Sequence, residues 1–365
     1  MKILIIGNGA IGNVGGKYSV NKHTAHFAKE LTDSSNTVGF LQFEVTIKDN
    51  TGLQDKAIDE AIAIHTLTSS VAKVGKVWSY VKMFFFMVQT ILKYDFIYIF
   101  YPGHVPVMAG FVCMLLRKKY GLYIRGQHNI ETKMGSMLVK HAQFSLTVSS
   151  LLKEQLLQNN TNCETISPMI DFSKKDIVLE RGYGSDIIRC LFVGRVEYRK
   201  GIYDLVEAIE LLNQSTPSLH FDIVGGGDSF NEMTERFKDV KNVCFKGQIS
   251  DKEELLNIYR HADLFIFPSH DEGFPRVLYE AMMARTPVLT TMVGGIGGFM
   301  KDQHNCLAIK VQNPKSIVEK VTMILADNSL KMRLVNQATE DVLKLFDGTR
   351  KKHSMLLMNK LELNK

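Results

Sequence analysis

The sequence predicts an α/β protein built from two successive doubly wound parallel sheets, and three observations predict it. Its 365 residues suffice for two domains at roughly 150 residues each. Short apolar runs alternate with loops and helical patterns, which is how a parallel sheet buried on both faces is written. That alternation stops over a polar stretch and restarts at Arg189. In order, the first half reads KILIIG, a helix near HTAHFAKEL, then VGFLQF, FIYIF, LYIRG and SLTVSS. The run from Phe96 to Leu116 holds no Asp, Glu, Lys or Arg and by length alone could cross a bilayer. Pro102, Gly103 and Pro106 instead divide it into a strand and an apolar helix, VMAGFVCMLL. Residues 167–185 are polar and aperiodic and are expected to link a first domain, residues 1–170, to a second, residues 186–344. The second half reads RCLFVGR, a helix with Ile202, Leu205, Val206, Ile209 and Leu212 on one face, then HFDIVGGG, VCFKG, LFIFPS, PVLTT and CLAI.

Composition narrows the class. With 45% hydrophobic and 22% charged residues the chain is neither disordered nor collagen-like. Five cysteines, far apart and without a C-x-x-C pair, suggest neither a disulfide framework nor a zinc site, and a reducing cytoplasm fits. The opening MKILIIG is too short an apolar run for a signal peptide and reads as a strand. The net charge of +6 falls entirely within the first 170 residues, so that half is expected to approach something anionic.

The chemistry is concentrated in the second half. In LFVGRVEYRKGIYDL a strand delivers Arg195 and a helix is expected to open on Lys200, with Gly194 and Gly201 beside them. Two cations at the carboxyl edge of a strand suit a phosphate, since arginine can bind two oxygens and lysine adds a point charge. In FPSHDEGFPRVLYEAMM Pro275 is expected in the first turn of a helix, which would aim the Gly273 and Phe274 amides at an anion. Glu272 lies before that helix and Glu280 in its second turn, so the two carboxylates would reach different parts of one ligand. Leu278, Tyr279, Ala281, Met282 and Met283 surround Glu280 with apolar residues, an odd setting for a merely solvated glutamate. No two aspartates stand two residues apart, so a D-x-D pair that could hold a divalent cation is absent and no metal is expected.

The order G-R-x4-K-G, the triple glycine Gly225–Gly226–Gly227, E-G-F-P-x4-E and a later V-G-G-I resembles the family-4 retaining glycosyltransferases of GT-B fold. The resemblance is close from about Arg189 to Ile309. It is looser in the first half, where it runs through Gly15 and Gly16 and through His128 in RGQHN. It implies two Rossmann-like domains facing a cleft, with residues 345–365 packing back on the first. It also implies that Arg195 and Lys200 bind a donor diphosphate and that Glu280 holds the nucleotide ribose. Glu272, with the Gly273–Phe274–Pro275 backbone, would face the donor sugar and phosphate. Gly15, Gly16, Gly225 and Gly226 would let loops approach, and His128 would lie beside the transferred sugar. One departure is GGIGG, residues 294–298, which lacks the acid often found shortly after this glycine pair.

The activity so implied is hexosyl transfer, with retention, from a nucleoside-diphosphate sugar of UDP or GDP type to a saccharide or lipid-linked saccharide in bacterial surface-polysaccharide assembly. No cofactor and no nucleic acid are expected. Two alternatives are an NAD-dependent oxidoreductase, prompted by GNGAIG, and a nucleotide-sugar-binding regulatory protein without turnover. The segment Val71–Lys93 carries four lysines, no acid, Trp78 and Phe84–Phe85–Phe86. It reads either as a peripheral helix on an anionic inner membrane face or as a core helix with a lysine rim.

Overall fold

In the computed structural model the described residues are 1–14, 17–34, 36–46, 55–68, 76–126, 130–166, 173–182, 187–215, 218–273, 275–347 and 351–363. The chain divides into two compact units, Met1–Met169 with Arg350–Lys365, and Ile170–Thr349.

The first unit contains β1 (Lys2–Val14), β2 (Lys17–Asn21), α1 (Lys22–Asp33), β3 (Thr37–Thr46), β4 (Asp55–Ala57), β5 (Ala63–Thr68), α2 (Lys76–Ile91), β6 (Phe96–Tyr101), α3 (His104–Leu115), β7 (Tyr120–Ile124), α4 (Lys133–His141), β8 (Ser145–Thr147), α5 (Ser150–Leu157) and β9 (Cys163–Thr165). Its parallel ladder runs β5-β3-β1-β6-β7-β8-β9. All residues of β6 and β7 are buried, which explains why those strands are apolar throughout rather than alternating. The first strand does not stop at its glycines. Its register with β3 shifts between Ile6 and Ala10, and it continues to Val14 before returning as antiparallel β2, which also pairs with β4. The continuation holds because Ala10–Asn13 keep ladder partners in Phe43–Thr46, so the backbone groups stay paired.

On α2, Met83, Met87 and Ile91 are buried in the core while Val81 and Phe85 are exposed, as is Leu92 just beyond the helix end. Residues 71–75 and the Trp78 side chain lie outside the described set. Among the described residues no helix is long and apolar enough to cross a membrane.

The second unit contains β10 (Ile188–Val193), α6 (Ile202–Ser215), β11 (Leu219–Val224), α7 (Phe230–Arg236), β12 (Val243–Gly247), α8 (Lys252–His261), β13 (Leu264–Phe267), α9 (Arg276–Met283), β14 (Val288–Thr290), β15 (Leu307–Ala308), α10 (Pro314–Ala326) and α11 (Asn328–Leu343). All neighbours in the order β12-β11-β10-β13-β14-β15 are parallel. The direction of winding reverses between β10 and β13, and in open α/β sheets ligands bind beyond the strand carboxyl ends at that switch point. The helix face expected on α6 is buried in full, Ile202, Leu205, Val206, Ile209 and Leu212 each at most 1% exposed.

Residues 173–182, within the expected linker, are laid onto the second unit. Arg181 donates to the carbonyls of Ala262 at 2.6 Å and Ala284 at 3.4 Å, at the carboxyl ends of α8 and α9. The Val178 amide donates to the Met283 carbonyl at 2.8 Å. These carbonyls have no partner within their helices, so a polar segment can dock by satisfying them.

The last helix, α12 (His353–Glu362), returns to the first unit. Leu356, Leu357 and Leu361 are buried, and His353 is inserted among aromatic rings. Its Nε2 lies 2.6 Å from the Tyr98 hydroxyl, and its ring is centred 4.3 Å from Phe27 and 4.4 Å from Tyr123. Burial pushes the imidazole pKa down to about 3, with the Arg125 charge acting in the same sense.

Candidate functional site

The loops at the switch point are tied to one another before any ligand is considered. After β10 the chain passes Gly194 and Arg195 into a single 3-10 turn, Tyr198–Lys200, and Gly201 then takes a left-handed conformation before α6 begins at Ile202. Lys200 therefore precedes the helix rather than opening it, as the sequence suggested. The correction follows from Gly201, whose φ of +72° breaks the helical path. The loop after β13 is bound to this turn through the His270 amide and the Ser269 hydroxyl, which donate to the Arg199 carbonyl at 2.9 and 3.2 Å. His270 Nε2 lies 2.6 Å from Asp204 Oδ2, which ties the same loop to α6 as well.

Within this frame Lys200 Nζ meets Glu272 Oε1 at 2.5 Å, and the Ser269 hydroxyl donates to the same oxygen at 2.9 Å. Both partners are largely shielded, at 18% and 8% side-chain exposure, so the pair is less screened than a surface ion pair. Arg195 is different. Its side chain is 70% exposed and its ion pair, at 2.9 Å, is with Glu197. The two cations nominated from sequence thus have separate carboxylate partners.

Two further loops close on the site by backbone contact. A Cβ on Gly225 would lie 1.9 Å from the Gly194 carbonyl oxygen, and the Val196 amide donates to the Gly226 carbonyl at 2.9 Å. After β14, Gly294 has φ +53°, and a Cβ there would lie 1.9 Å from the Glu272 carbonyl oxygen. The Gly295 amide donates to that same carbonyl at 3.0 Å. A side chain at Gly225 or Gly294 would push apart the loops that carry Arg195 and Glu272, which explains the glycines physically. Gly226 has open space around its Cβ direction, so packing does not demand glycine there.

Pro275 is the N-cap residue of α9, and the helix starts at Arg276. This corrects by one position the expectation that Pro275 lies in the first turn. Glu280 is half-buried in the second turn, and Leu278, Tyr279, Ala281, Met282 and Met283 around it are at most 2% exposed. The Tyr259 hydroxyl of α8 donates to Glu280 Oε2 at 2.9 Å. Arg276 stands one turn before Glu280. Burial lowers the guanidinium pKa, and the Glu280 charge opposes that shift.

The structure therefore brings together Lys200, Glu272, Gly273 and Pro275 on two adjacent loops, flanked by Arg195, Gly225 and Gly226, with Glu280 further along α9. Gly15, Gly16, His128 and Phe274 lie outside the described residues. Sequence reasoning missed Tyr259, Ser269 and the His270–Asp204 pair. Their only sequence signal was that Tyr259 sits on the apolar face of α8, where a buried hydroxyl must find an acceptor. Chemically, the loops offer a shielded cation in Lys200, an exposed one in Arg195, and the Glu272 and Glu280 carboxylates held by separate partners. Among the described residues no group of three or more His, Cys, Asp or Glu could hold a metal ion.

Residues 184–341 match the family described as Glycosyl transferases group 1. The Bacillus subtilis protein TuaC, named as a teichuronic acid biosynthesis glycosyltransferase, is 33% identical over 177 residues, 48% of this chain and 43% of that protein. The chain thus spans less than half of that relative's length. Among solved structures, a sucrose-phosphate synthase from Thermosynechococcus elongatus is similar with a TM-score of 0.69 at 19% identity, covering 100% of this chain and 98% of that one. The lipopolysaccharide outer core galactosyltransferase WaaB is similar with a TM-score of 0.67 at 16% identity, covering 100% of both chains. These two likenesses show the fold, which is GT-B.

Proposed function

From the premise that residues 184–341 carry a Glycosyl transferases group 1 domain, we propose that the protein transfers a hexosyl group from a nucleoside-diphosphate sugar to a saccharide or lipid-linked saccharide in bacterial surface-polysaccharide assembly. The observation that carries this reading is the shielded Lys200 beside Glu272 at the switch point, with Glu280 held separately on α9. Lys200 and Arg195 stabilise the negative charge that grows on the departing diphosphate, and a fixed cation in a shielded site is an effective means of doing so. Glu280 accepts from the nucleotide ribose. Glu272 holds Lys200 in place and faces the donor sugar, and the Gly273–Pro275 and Gly225–Gly226 backbones border the phosphates. Retention is proposed from the resemblance of the motifs, and metal independence from the two cations together with the missing D-x-D. Gly15, Gly16 and His128 are assigned to the donor side on the same resemblance. Hydrolysis of UDP-, GDP- and ADP-sugars by the purified protein tests the reading. Turnover of one class that is lost in Lys200→Ala is expected, and turnover of none, with no binding of any, would overturn it.

The acceptor is proposed to be met at an anionic membrane surface. Between residues 76 and 141 the sequence has nine Lys or Arg against two acids, Asp95 and Glu131. Phe85 on α2, Leu92 just beyond its end, and Phe111 and Leu115 on α3 are exposed. Apolar side chains among lysines suit a lipid interface with anionic headgroups. Salt-sensitive sedimentation with anionic but not neutral liposomes is expected, and equal binding to both would favour a soluble acceptor.

A further inference from the structure

We propose that Tyr259 is a positioning residue, whose hydroxyl fixes the Glu280 carboxylate in the orientation that receives the ribose. For its ligand the inference rests on the reading above, and for its contact on the packing of α8 against α9. Tyr259 is fully buried, its ring is centred 5.6 Å from that of Phe265, and its carbonyl accepts from the Thr286 hydroxyl at 2.7 Å. Side chain and backbone are thus both pinned, which makes the phenol oxygen a fixed point. From there it donates to Glu280 Oε2 at 2.9 Å.

A glutamate on a helix has three rotatable bonds, and ordering it costs conformational entropy. A donor that does not move meets that cost before ligand arrives. The phenol is also a dependable donor, because burial and the Glu280 charge raise its pKa well above the ordinary tyrosine value. Arg276 reinforces the arrangement by charge from the preceding turn, but its long side chain gives less directional control than a buried ring.

Calorimetry tests this. Wild type is titrated with UDP, GDP and ADP, and the tightest of the three is compared with its 2′-deoxy counterpart in wild type, Tyr259→Phe, Glu280→Gln and the double variant. Wild type is expected to prefer the ribonucleotide by about tenfold or more, the scale of one hydrogen bond to a charged group. Tyr259→Phe is expected to keep its affinity for the deoxynucleotide and to prefer the ribonucleotide by less than about threefold. The double variant is expected to fall no further than Glu280→Gln alone, since one residue acts through the other. The ratio is read within each preparation, so a general loss of stability cancels, and a purely structural role would leave it unmoved. Undiminished preference in Tyr259→Phe, or additive losses in the double variant, overturns the positioning role while the ribose reading stands. A wild type that binds none of the three, or that ignores the 2′-hydroxyl, overturns the ribose reading and this inference with it.

Discussion

The two units share an order of parallel strands but place their buried polar contacts differently. In the second unit these contacts gather at the strand carboxyl ends, where Ser269, His270, Lys200, Glu272 and the glycine turns tie four loops together. In the first unit the corresponding strand end runs on into a hairpin, and a polar contact inside the core, Tyr98 with His353, fastens a distant helix. Polar groups are costly to bury unpaired in either place. Where they join strand-end loops they fix those loops to one another, and where they face inward they hold the fold together. Substitutions in the two sets should therefore separate cleanly into losses of turnover and losses of stability.

The sharpest separation is expected from Lys200→Ala, which should lower kcat/KM by about 100- to 1000-fold, or about 3–4 kcal/mol of transition-state stabilisation. Steady-state kinetics with the preferred donor read this, and a variant near wild type would remove Lys200 from the donor site. Glu272 is then left shielded and without its cation, held by Ser269 alone, so Lys200→Ala/Glu272→Gln should melt higher than Lys200→Ala without recovering turnover. In the first unit His353→Ala should destabilise by about 2–4 kcal/mol, through a lost buried ring and hydrogen bond, and leave KM for the donor unchanged. Denaturant unfolding measures the first and kinetics the second, and a variant that loses donor affinity but not stability would break the comparison.

A pH effect of intermediate size follows from the same histidine. Its folded pKa is pushed down to about 3, whereas in an unfolded chain histidine titrates near 6.5. The unfolded state thus takes up a proton that the folded state refuses. Stability from this group is complete above pH 6.5 and drains away as pH falls toward 3, at up to about 1.4 kcal/mol per pH unit. Urea midpoints at pH 7, 6 and 5 should show this slope in wild type and a flatter one in His353→Phe. Equal slopes would mean that other groups carry the acid sensitivity. The smallest effect is expected from Arg195→Ala, about tenfold in kcat/KM and shrinking as salt is raised, because its guanidinium is largely in solvent. A loss as large and as salt-resistant as that of Lys200→Ala would show that ligand shields Arg195 equally.

The strands buried on both faces were the readable part of the fold. FIYIF, LYIRG, RCLFVGR and LFIFPS carry their burial in composition and lie within or across β6, β7, β10 and β13. The hairpin strands β2 and β4, and β5 with its histidine and threonines, were not readable, because pairing with β1, β2 and β3 respectively rather than local pattern makes them strands. In the site, spacing placed Lys200 and Glu272 near strand ends that the topology sets side by side. It could not show Tyr259 reaching Glu280 or Ser269 sharing Glu272 with Lys200, since these depend on which helix packs on which and how far each side chain turns.

The return of α12 to the first unit sets an order of events during synthesis. Residues Ile170–Thr349 lie between that unit's sheet and its last helix, and at about 5–20 residues per second a ribosome takes roughly 10–40 s to make them. When Thr349 has been made, Phe27, Tyr98 and Tyr123 still lack the ring that covers them, while the second unit has every strand and helix it needs. The later-made unit should therefore reach its native state first. Proteolysis of stalled chains ending at Thr349 and of released full chains would read the order, with cleavage confined to the first unit in the stalled chains.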